Sequence, residues 1–187
     1  MKSCIVYIDG GSRGNPGNAG YGVAIRAEDG NEIANLSQNI GVRTNNYAEY
    51  SALLAALGYA LSEGFEKISI FADSELLVRQ IQGIYKVKSP DLKPLYVKAI
   101  SQISRIKKFS IQHIPREQNQ EADRLANLAM DEIPEGSDLA PDLSLPIRIS
   151  AVFQKGCFRP LDPVSIPEGT HCQLDITTSG RKSSSSA

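Results

Sequence analysis

The sequence predicts an α/β protein: a mixed five-stranded sheet flanked by helices, followed by a small C-terminal β segment. Apolar runs of strand length alternate with segments of helical periodicity, in the order βββαβαβα with one further helix inserted. The pair Asp29-Gly30 between the second and third runs is a strong hairpin signal. The first three strands should therefore be antiparallel, and later strands, joined through helices, should be parallel.

Composition limits the function classes that the chain can belong to. Its 187 residues are enough for one domain with a core and an appendage, and the net charge of -1 provides no overall basic field for a polyanion. The three cysteines, Cys4, Cys157 and Cys172, match neither a zinc spacing nor a disulfide framework. No apolar stretch is long enough to cross a membrane and no signal peptide is evident, so we expect a cytoplasmic protein without a membrane partner.

The first strand is predicted at Ile5–Ile8, and it ends in Asp9. The glycine-rich stretch 10–22 follows, and we expect flexible backbone there that lets a cation or a phosphate approach. A surface turn that uses Asp9 is the simpler alternative. The next two strands are predicted at 20–26 and 32–40.

A helix is expected to begin near Thr44, with Glu49 in its first turn, and to end at Gly64. The later elements are predicted at 67–72 (strand), 74–84 (helix), 95–106 (helix), 109–114 (strand) and 120–129 (helix), with an exposed connection at 86–94. Asp73 directly follows the fourth strand, and Asp123 lies in the first turns of the last helix.

Four acids should meet at one edge of this sheet, because Asp9 and Asp73 end strands while Glu49 and Asp123 open helices. Each has an ordinary alternative role as a turn residue, a helix cap or a partner of the helix dipole. Carboxylates crowded together repel, and divalent cations remove that cost. Hard oxygen ligands suit Mg²⁺, and two ions roughly 3.5–4 Å apart can clamp both oxygens of a phosphoryl displacement.

Four blocks of sequence, in order, resemble ribonuclease HI: DGGSRGNPG at 9–17, TNNYAE at 44–49, DS at 73–74 and NQEADRLA at 119–126. The resemblance covers about residues 1–133. It implies the ribonuclease H fold and endonucleolytic cleavage of the RNA strand of an RNA–DNA hybrid, leaving 3′-hydroxyl and 5′-phosphate ends. It also implies that Asp9, Glu49, Asp73 and Asp123 are catalytic and bind two Mg²⁺ ions, with Mn²⁺ as a substitute.

The same resemblance implies contacts with the hybrid. Amide side chains both donate and accept, so they can bond a 2′-hydroxyl in the wide minor groove of an A-like duplex. Capping and turn formation are the alternative roles for asparagine. The substrate-binding residues that we expect are Gly10, Gly11, Asn15, Asn45, Asn46 and Ser74.

The chain departs from better-known bacterial members of that family in two places. They carry a basic protrusion after the second helix, where this chain offers only Lys86, Lys88 and Lys93. They also have a histidine in the loop before the last acid, whereas His113 lies in a predicted strand and should point away from the metals. Arg116 is our candidate replacement; because arginine cannot act as a base, it would stabilise charge or help product leave.

The C-terminal part differs in composition from the rest. We predict a ribonuclease H domain at 1–133, a proline-rich linker at 134–146, a small β module at 147–177 and a disordered tail at 178–187. Within the module, extended segments are predicted at 147–153 and 157–158 on both sides of a turn, and a further strand at 172–176. Residues 149–176 resemble a small β module of predicted prokaryotic antitoxins. Such a short segment cannot bury a sufficient core, so we expect it to dock on the nuclease domain or to pair with a second copy, through Phe153 and Phe158.

Two other function classes remain open from the sequence. One is another metal-dependent enzyme of this fold, such as a DNA strand-transfer enzyme or an exonuclease. The other is a non-catalytic protein that binds nucleic acid and associates with proteins through its tail. The asparagines aimed at 2′-hydroxyls disfavour the first, and the presence of all four acids disfavours the second.

Overall fold

The computed structural model describes residues 2–131, together with the backbone of 151–154 and 157–160. The chain divides into two compact units, Met1–Pro134 and Glu135–Ala187. The strands of the first unit are β1 (Ser3–Gly14), β2 (Gly17–Arg26), β3 (Glu32–Arg43), β4 (Lys67–Ala72) and β5 (Lys108–His113). Its helices are α1 (Asn45–Ser62), α2 (Glu75–Ile81), α3 (Leu92–Ile103) and α4 (Gln120–Asp131), with a 3₁₀ turn at Arg116–Gln118.

The five strands form one mixed sheet in the order β3-β2-β1-β4-β5. β1 pairs antiparallel with β2, and β2 pairs antiparallel with β3. β4 lies parallel to β1 on its other side, and β5 lies parallel to β4. The predicted fold class, with three antiparallel strands followed by parallel ones, is confirmed.

The core lies between the central strands and α1. Alternate β1 residues, Val6 and Ile8, are fully buried, and so are Leu53 and Leu57 of α1. Such period-2 and period-3.6 patterns place apolar side chains on one face of a strand and one stripe of a helix. The opposite face of the sheet is covered by α4, which packs across β2.

The glycine-rich stretch, where we expected flexible backbone, forms most of the β1–β2 hairpin. β1 continues to Gly14 and does not end in Asp9 as predicted, and β2 begins at Gly17. Two of its glycines are required by packing, since a Cβ on Gly10 would lie 2.2 Å from the backbone carbon of Ala48 in α1. A Cβ on Gly22 would lie equally close, 2.2 Å, to the carbonyl oxygen of Ala122 in α4. These glycines let both helices approach the sheet closely.

Several element boundaries differ from the prediction. α2 ends at Ile81 rather than at 84, and α3 begins at Leu92 rather than at 95. Pro94 belongs to the first turn of α3, where proline is tolerated because its missing N–H has no intrahelical partner there. Because α1 begins at Asn45, Glu49 lies in its second turn and not in the first.

The turn between β2 and β3 lies at the end of the sheet where β1 begins. The Ala27 N–H donates to the Asn31 carbonyl (2.8 Å), and the Asn31 N–H donates to Asp29 Oδ1 (3.0 Å). Glu28 forms an ion pair with Lys67, the first residue of β4 (2.8 Å). Residues 28–31 are exposed.

The second unit contains one described hairpin, in which β6 (Ala151–Gln154) pairs antiparallel with β7 (Cys157–Pro160). This agrees with the extended segments that we predicted on both sides of a turn. The predicted linker 134–146, the strand at 172–176 and the tail 178–187 lie outside the described residues, as do the side chains of Phe153 and Phe158. Among the helices of the part that the structure describes, none is long and apolar enough to span a bilayer.

Candidate active site

Two carboxylates meet where β1 and β4 run side by side. Ile8 is the parallel partner of Ala72, so Asp9 and Asp73 occupy equivalent positions at the same edge of the sheet. Asp9 is 7% exposed and Asp73 is half-buried. The strand register therefore places these two acids next to each other, as the sequence predicted.

Glu49 is the third acid, and it lies on α1. Thr44 caps this helix by accepting a hydrogen bond from the Tyr47 N–H (3.3 Å). Glu49 follows one turn into the helix and is 5% exposed. Oxygens of Asp9, Glu49 and Asp73 all lie within 4.8 Å of one another. The Glu49 Oε2 atom is buried and has no hydrogen-bond partner among the described residues.

This crowding makes the charged form of the acids costly. Burial, and then the nearby charges of Asp73 and Asp123, raise the pKa of Asp9 to about 7, although Arg116 and the Gly10 N–H partly offset the rise. Burial, followed by the charges of Asp9 and Asp73, also raises the pKa of Glu49 well above its usual range. A cation placed among the oxygens would remove this penalty.

Asp123 lies in the same cavity, but it is held by other partners. It forms an ion pair with Arg116, and Asn127 Nδ2 donates to its Oδ2 (3.0 Å). The hydrogen bond with Asp123 raises the pKa of Arg116. The fourth predicted acid is thus present at the site, although it does not belong to the group of three that lie within 4.8 Å.

The carboxylate set fits a divalent cation. Hard oxygen donors at this spacing are the ligands that Mg²⁺ and Mn²⁺ use in proteins. The unpartnered Glu49 Oε2 is more telling, because a buried carboxylate oxygen ordinarily has a donor or a cation beside it. The residues that would hold the ion are Asp9, Glu49 and Asp73, with Asp123 at the rim of the same cavity.

Four of the six predicted substrate-binding residues line this cavity, which has a volume of about 300 Å³. Gly10, Gly11, Asn45 and Ser74 line it. Asn15 is exposed in the β1–β2 turn, and its Oδ1 accepts from the Asn45 N–H (3.1 Å).

Asn46 lies apart from the cavity, and two of the other predicted residues, Ser74 and Gly10, also have structural roles. Asn46 is exposed one residue further along α1 and lies outside the lining of this cavity. Ser74 caps α2 by accepting from the Leu77 N–H (3.4 Å). The packing role of Gly10 against α1 is a reason for this glycine that the sequence did not suggest.

The remaining predicted residues lie elsewhere. His113 ends β5, is exposed and lines a separate cavity with Glu75 and Arg79. The side chains of Lys86, Lys88 and Lys93 are all exposed. Of the basic residues that the sequence singled out, Arg116 is the one that lines the cavity with the acids, and its charge acts on Asp9 and Glu49.

Two residues of the site were missed from the sequence. Asn127 follows Asp123 by one helical turn and bonds its carboxylate, which the i, i+4 spacing alone could have indicated. Asn119 received no role at the site from the sequence, where it only begins the block at 119–126, but it is 1% exposed and its Nδ2 donates to Asp73 Oδ1 (3.0 Å). No sequence signal distinguishes a capping asparagine from one turned into the sheet.

Comparisons with known proteins agree with this architecture. A family model described as Reverse transcriptase-like matches residues 7–129. The chain is similar to the bifunctional protein Rv2228c of Mycobacterium tuberculosis, with 45% identity over 128 residues, 68% of this chain and 35% of the relative. It is also similar to ribonuclease HI of Halobacterium salinarum, with 43% identity over 126 residues, 67% of this chain and 63% of that protein.

Solved structures show the same relationship. The N-terminal RNase H domain of Rv2228c superposes with a TM-score of 0.68 at 44% identity, covering 70% of this chain and 95% of that one. LC11-RNase H1, solved in complex with an RNA/DNA hybrid, gives a TM-score of 0.65 at 45% identity, covering 68% of this chain and 96% of that one. A second family model, described as AF2212-like, matches residues 145–186; the resemblance of this segment to antitoxins stays a prediction.

The matches to ribonuclease H proteins concern the first part of the chain. The chain spans about a third of the length of the mycobacterial relative (35%) and 63% of that of the archaeal one. The family model nevertheless covers most of the chain, and the identities to these relatives exceed 40%. The chain belongs to the ribonuclease H family.

Proposed function

We propose that the protein is a metal-dependent endoribonuclease that cleaves the RNA strand of RNA–DNA hybrids. The observation that carries the proposal is the group Asp9, Glu49 and Asp73, whose oxygens lie within 4.8 Å of one another at the edge of the sheet. A structural ion pair does not explain this group, since the three residues carry the same charge. Similarity to an RNase H1 solved with an RNA/DNA hybrid supports the choice of substrate.

The acids would hold two Mg²⁺ ions, for which Mn²⁺ is a plausible replacement on ligand chemistry. When bound, the cations supply positive charge that offsets the carboxylates and stabilises the charge that develops on the phosphate in the transition state. Water displaces the 3′-oxygen from phosphorus in this hydrolysis, so the products carry 3′-hydroxyl and 5′-phosphate ends.

The chain's own polar groups would bind and orient the hybrid. Asn45 lies at the cavity and is tied to Asn15, so both amides can face one groove of the duplex together. Their oxygens and N–H groups suit the 2′-hydroxyl, which both donates and accepts. Arg116 is exposed beside the acids and would stabilise negative charge or help the product leave.

A cleavage assay tests the proposal. An RNA–DNA hybrid labelled at the 5′ end of its RNA is incubated with the protein in Mg²⁺ and in EDTA, beside matched RNA–RNA and DNA–DNA duplexes. We expect internal cleavage of the RNA in the hybrid only, and only with the metal. Cleavage of the DNA duplex at a similar rate would instead support another enzyme of this fold.

A matched pair of variants locates the activity. Asp73→Asn should reduce cleavage by more than about a hundredfold, because it removes a charge from the cation site. Asp91→Asn alters an exposed acid beside α3 that caps nothing, and it should cleave like the wild type. Near wild-type turnover by Asp73→Asn in Mg²⁺ would show that the three acids are not the catalytic centre.

A further inference from the structure

Asn119 is a buried polar residue that lies between the strands carrying the acids. It directly precedes α4 and is 1% exposed. Its Nδ2 atom donates two hydrogen bonds, one to the backbone carbonyl of Ile8 (2.9 Å) and one to Asp73 Oδ1 (3.0 Å). Since Ile8 precedes Asp9, one side-chain amide links the middle of β1 to the end of β4 at the candidate site.

The backbone of Asn119 also forms hydrogen bonds with residues on the other side of the cavity. Its carbonyl accepts from the N–H of Asp123 (3.0 Å), and its N–H donates to the carbonyl of Arg116 (2.9 Å). Asn119 therefore contacts two predicted metal ligands, Arg116, and the residue that precedes a third ligand.

Helix capping does not account for this side chain. An asparagine that caps a helix uses its Oδ1 to accept from an N–H of the first turn. Here Oδ1 is buried and has no hydrogen-bond partner within the described residues, while Nδ2 is used twice. Both neighbours of Nδ2 are acceptors, so only a hydrogen-bond donor can occupy this position without repulsion, and the amide supplies two N–H groups for them.

We propose that Asn119 is a positioning residue that orients the Asp73 carboxylate beside Asp9 for cation binding. A carboxylate oxygen has two lone pairs, so Asp73 Oδ1 can accept from Asn119 and still face a cation. Carboxylates that bind metals are commonly held by such partners, and loss of one costs about 10–100-fold in metal affinity or activity. This inference rests on the proposed function, because it assigns the amide to the same site.

Two replacements separate this role from capping and from space filling. Asn119→Leu has a similar volume but no donor. Asn119→Asp keeps the shape and the ability to cap a helix, but it turns an acceptor toward the Ile8 carbonyl and Asp73. Gln82→Leu and Gln82→Glu are matched controls, since Gln82 Nε2 also donates to a strand carbonyl, that of Ile111 (3.0 Å), away from the acids.

The full chain is measured in three ways: thermal unfolding, Mg²⁺ binding by calorimetry without nucleic acid, and kcat and KM on the hybrid. We expect Asn119→Leu to bind Mg²⁺ about tenfold more weakly and to lose about 10–100-fold in kcat, with KM within about twofold of the wild type. Asn119→Asp should lose kcat to a similar extent. Both Gln82 variants should retain wild-type kcat and Mg²⁺ affinity.

Three outcomes would overturn the proposal: a folded Asn119→Leu with wild-type kcat and Mg²⁺ affinity, an Asn119→Asp with wild-type kcat, or failure of both variants to fold. The last outcome would show that the side chain serves the fold alone. If the wild type itself does not cleave the hybrid, the proposed function is wrong, and the calorimetric comparison still decides whether Asn119 orients a cation ligand.

Discussion

The contact between Gly22 and α4 gives a prediction that can be worked out from distances. A Cβ on Gly22 would lie 2.2 Å from the Ala122 carbonyl oxygen, 2.5 Å from the Ala126 nitrogen and 2.6 Å from the Leu125 Cβ. Ordinary contacts begin at 3.4 Å, so α4 has to retreat by about 1.2 Å to admit the methyl group of Gly22→Ala. Two of these atoms belong to the helix backbone, which no side-chain rotation can move aside.

Overpacking of this kind typically costs about 1–3 kcal/mol, and we expect the upper end because backbone has to move. With a urea dependence of about 2 kcal/mol/M, a loss of about 3 kcal/mol lowers the unfolding midpoint by about 1.5 M. Cleavage should also fall, since α4 carries Asp123 to the cavity.

Urea unfolding of the full chain measures this effect, with Gly58→Ala as the matched control. Gly58 lies within α1, and the nearest atom to its Cβ would be Gln102 Nε2, at 3.8 Å. Alanine in a helix is favoured over glycine by about 0.8–1.0 kcal/mol, so Gly58→Ala should raise the midpoint. Equal midpoints for Gly22→Ala and the wild type would refute the packing argument.

Three further predictions concern the acids, the groove and the tail. In the absence of metal, Asp9→Asn should unfold at the same temperature as the wild type or at a higher one, because it removes a buried charge that repels its neighbours. A lower unfolding temperature would contradict this. Replacing both Asn45 and Asn46 by Ala should raise KM about tenfold with a smaller loss in kcat. The control Asn31→Ala, in the distant turn, should leave KM unchanged. An unchanged KM for the double variant would show that Asn45 and Asn46 serve the helix only. A chain ending at Glu132 should fold, cleave the hybrid and be monomeric by light scattering. A full-length monomer would rule out self-pairing through the β module, and an inactive truncated chain would show that the tail completes the nuclease core.

The site could be predicted from sequence where chain order alone determines position. Asp9 and Asp73 each follow an apolar run, and the parallel pairing of those runs in β1 and β4 places the two acids side by side. Glu49 lies in the group of three acids, but the predicted turn of the helix was wrong because the first helical residue depends on the Thr44 cap. Periodicity identifies a strand or a helix more reliably than it identifies the end of one.

Features that depend on three-dimensional approach were not predictable in the same way. Glycines usually indicate a turn, yet Gly10 and Gly22 lie within strands because helices on opposite faces press against them. Asn119 has the sequence context of a cap, and only its burial between β1 and β4 reveals that the amide is a donor to the site. The ion pair between Arg116 and Asp123 depends on the 3₁₀ turn, which carries no distinct pattern.

The exposed turn that joins β2 to β3 lies at the other end of the strands from the carboxylates. Its backbone hydrogen bonds are local, between Ala27, Asp29 and Asn31, and the Glu28–Lys67 ion pair lies at the start of β4, so an insertion after Gly30 disturbs nothing near the cavity. Exposed hairpin tips of this kind are where chains accept added residues most readily. A fluorophore or a surface-attachment tag inserted after Gly30 would therefore leave the carboxylate end of the strands free, which makes this turn a practical anchor for single-molecule tests of the proposed cleavage.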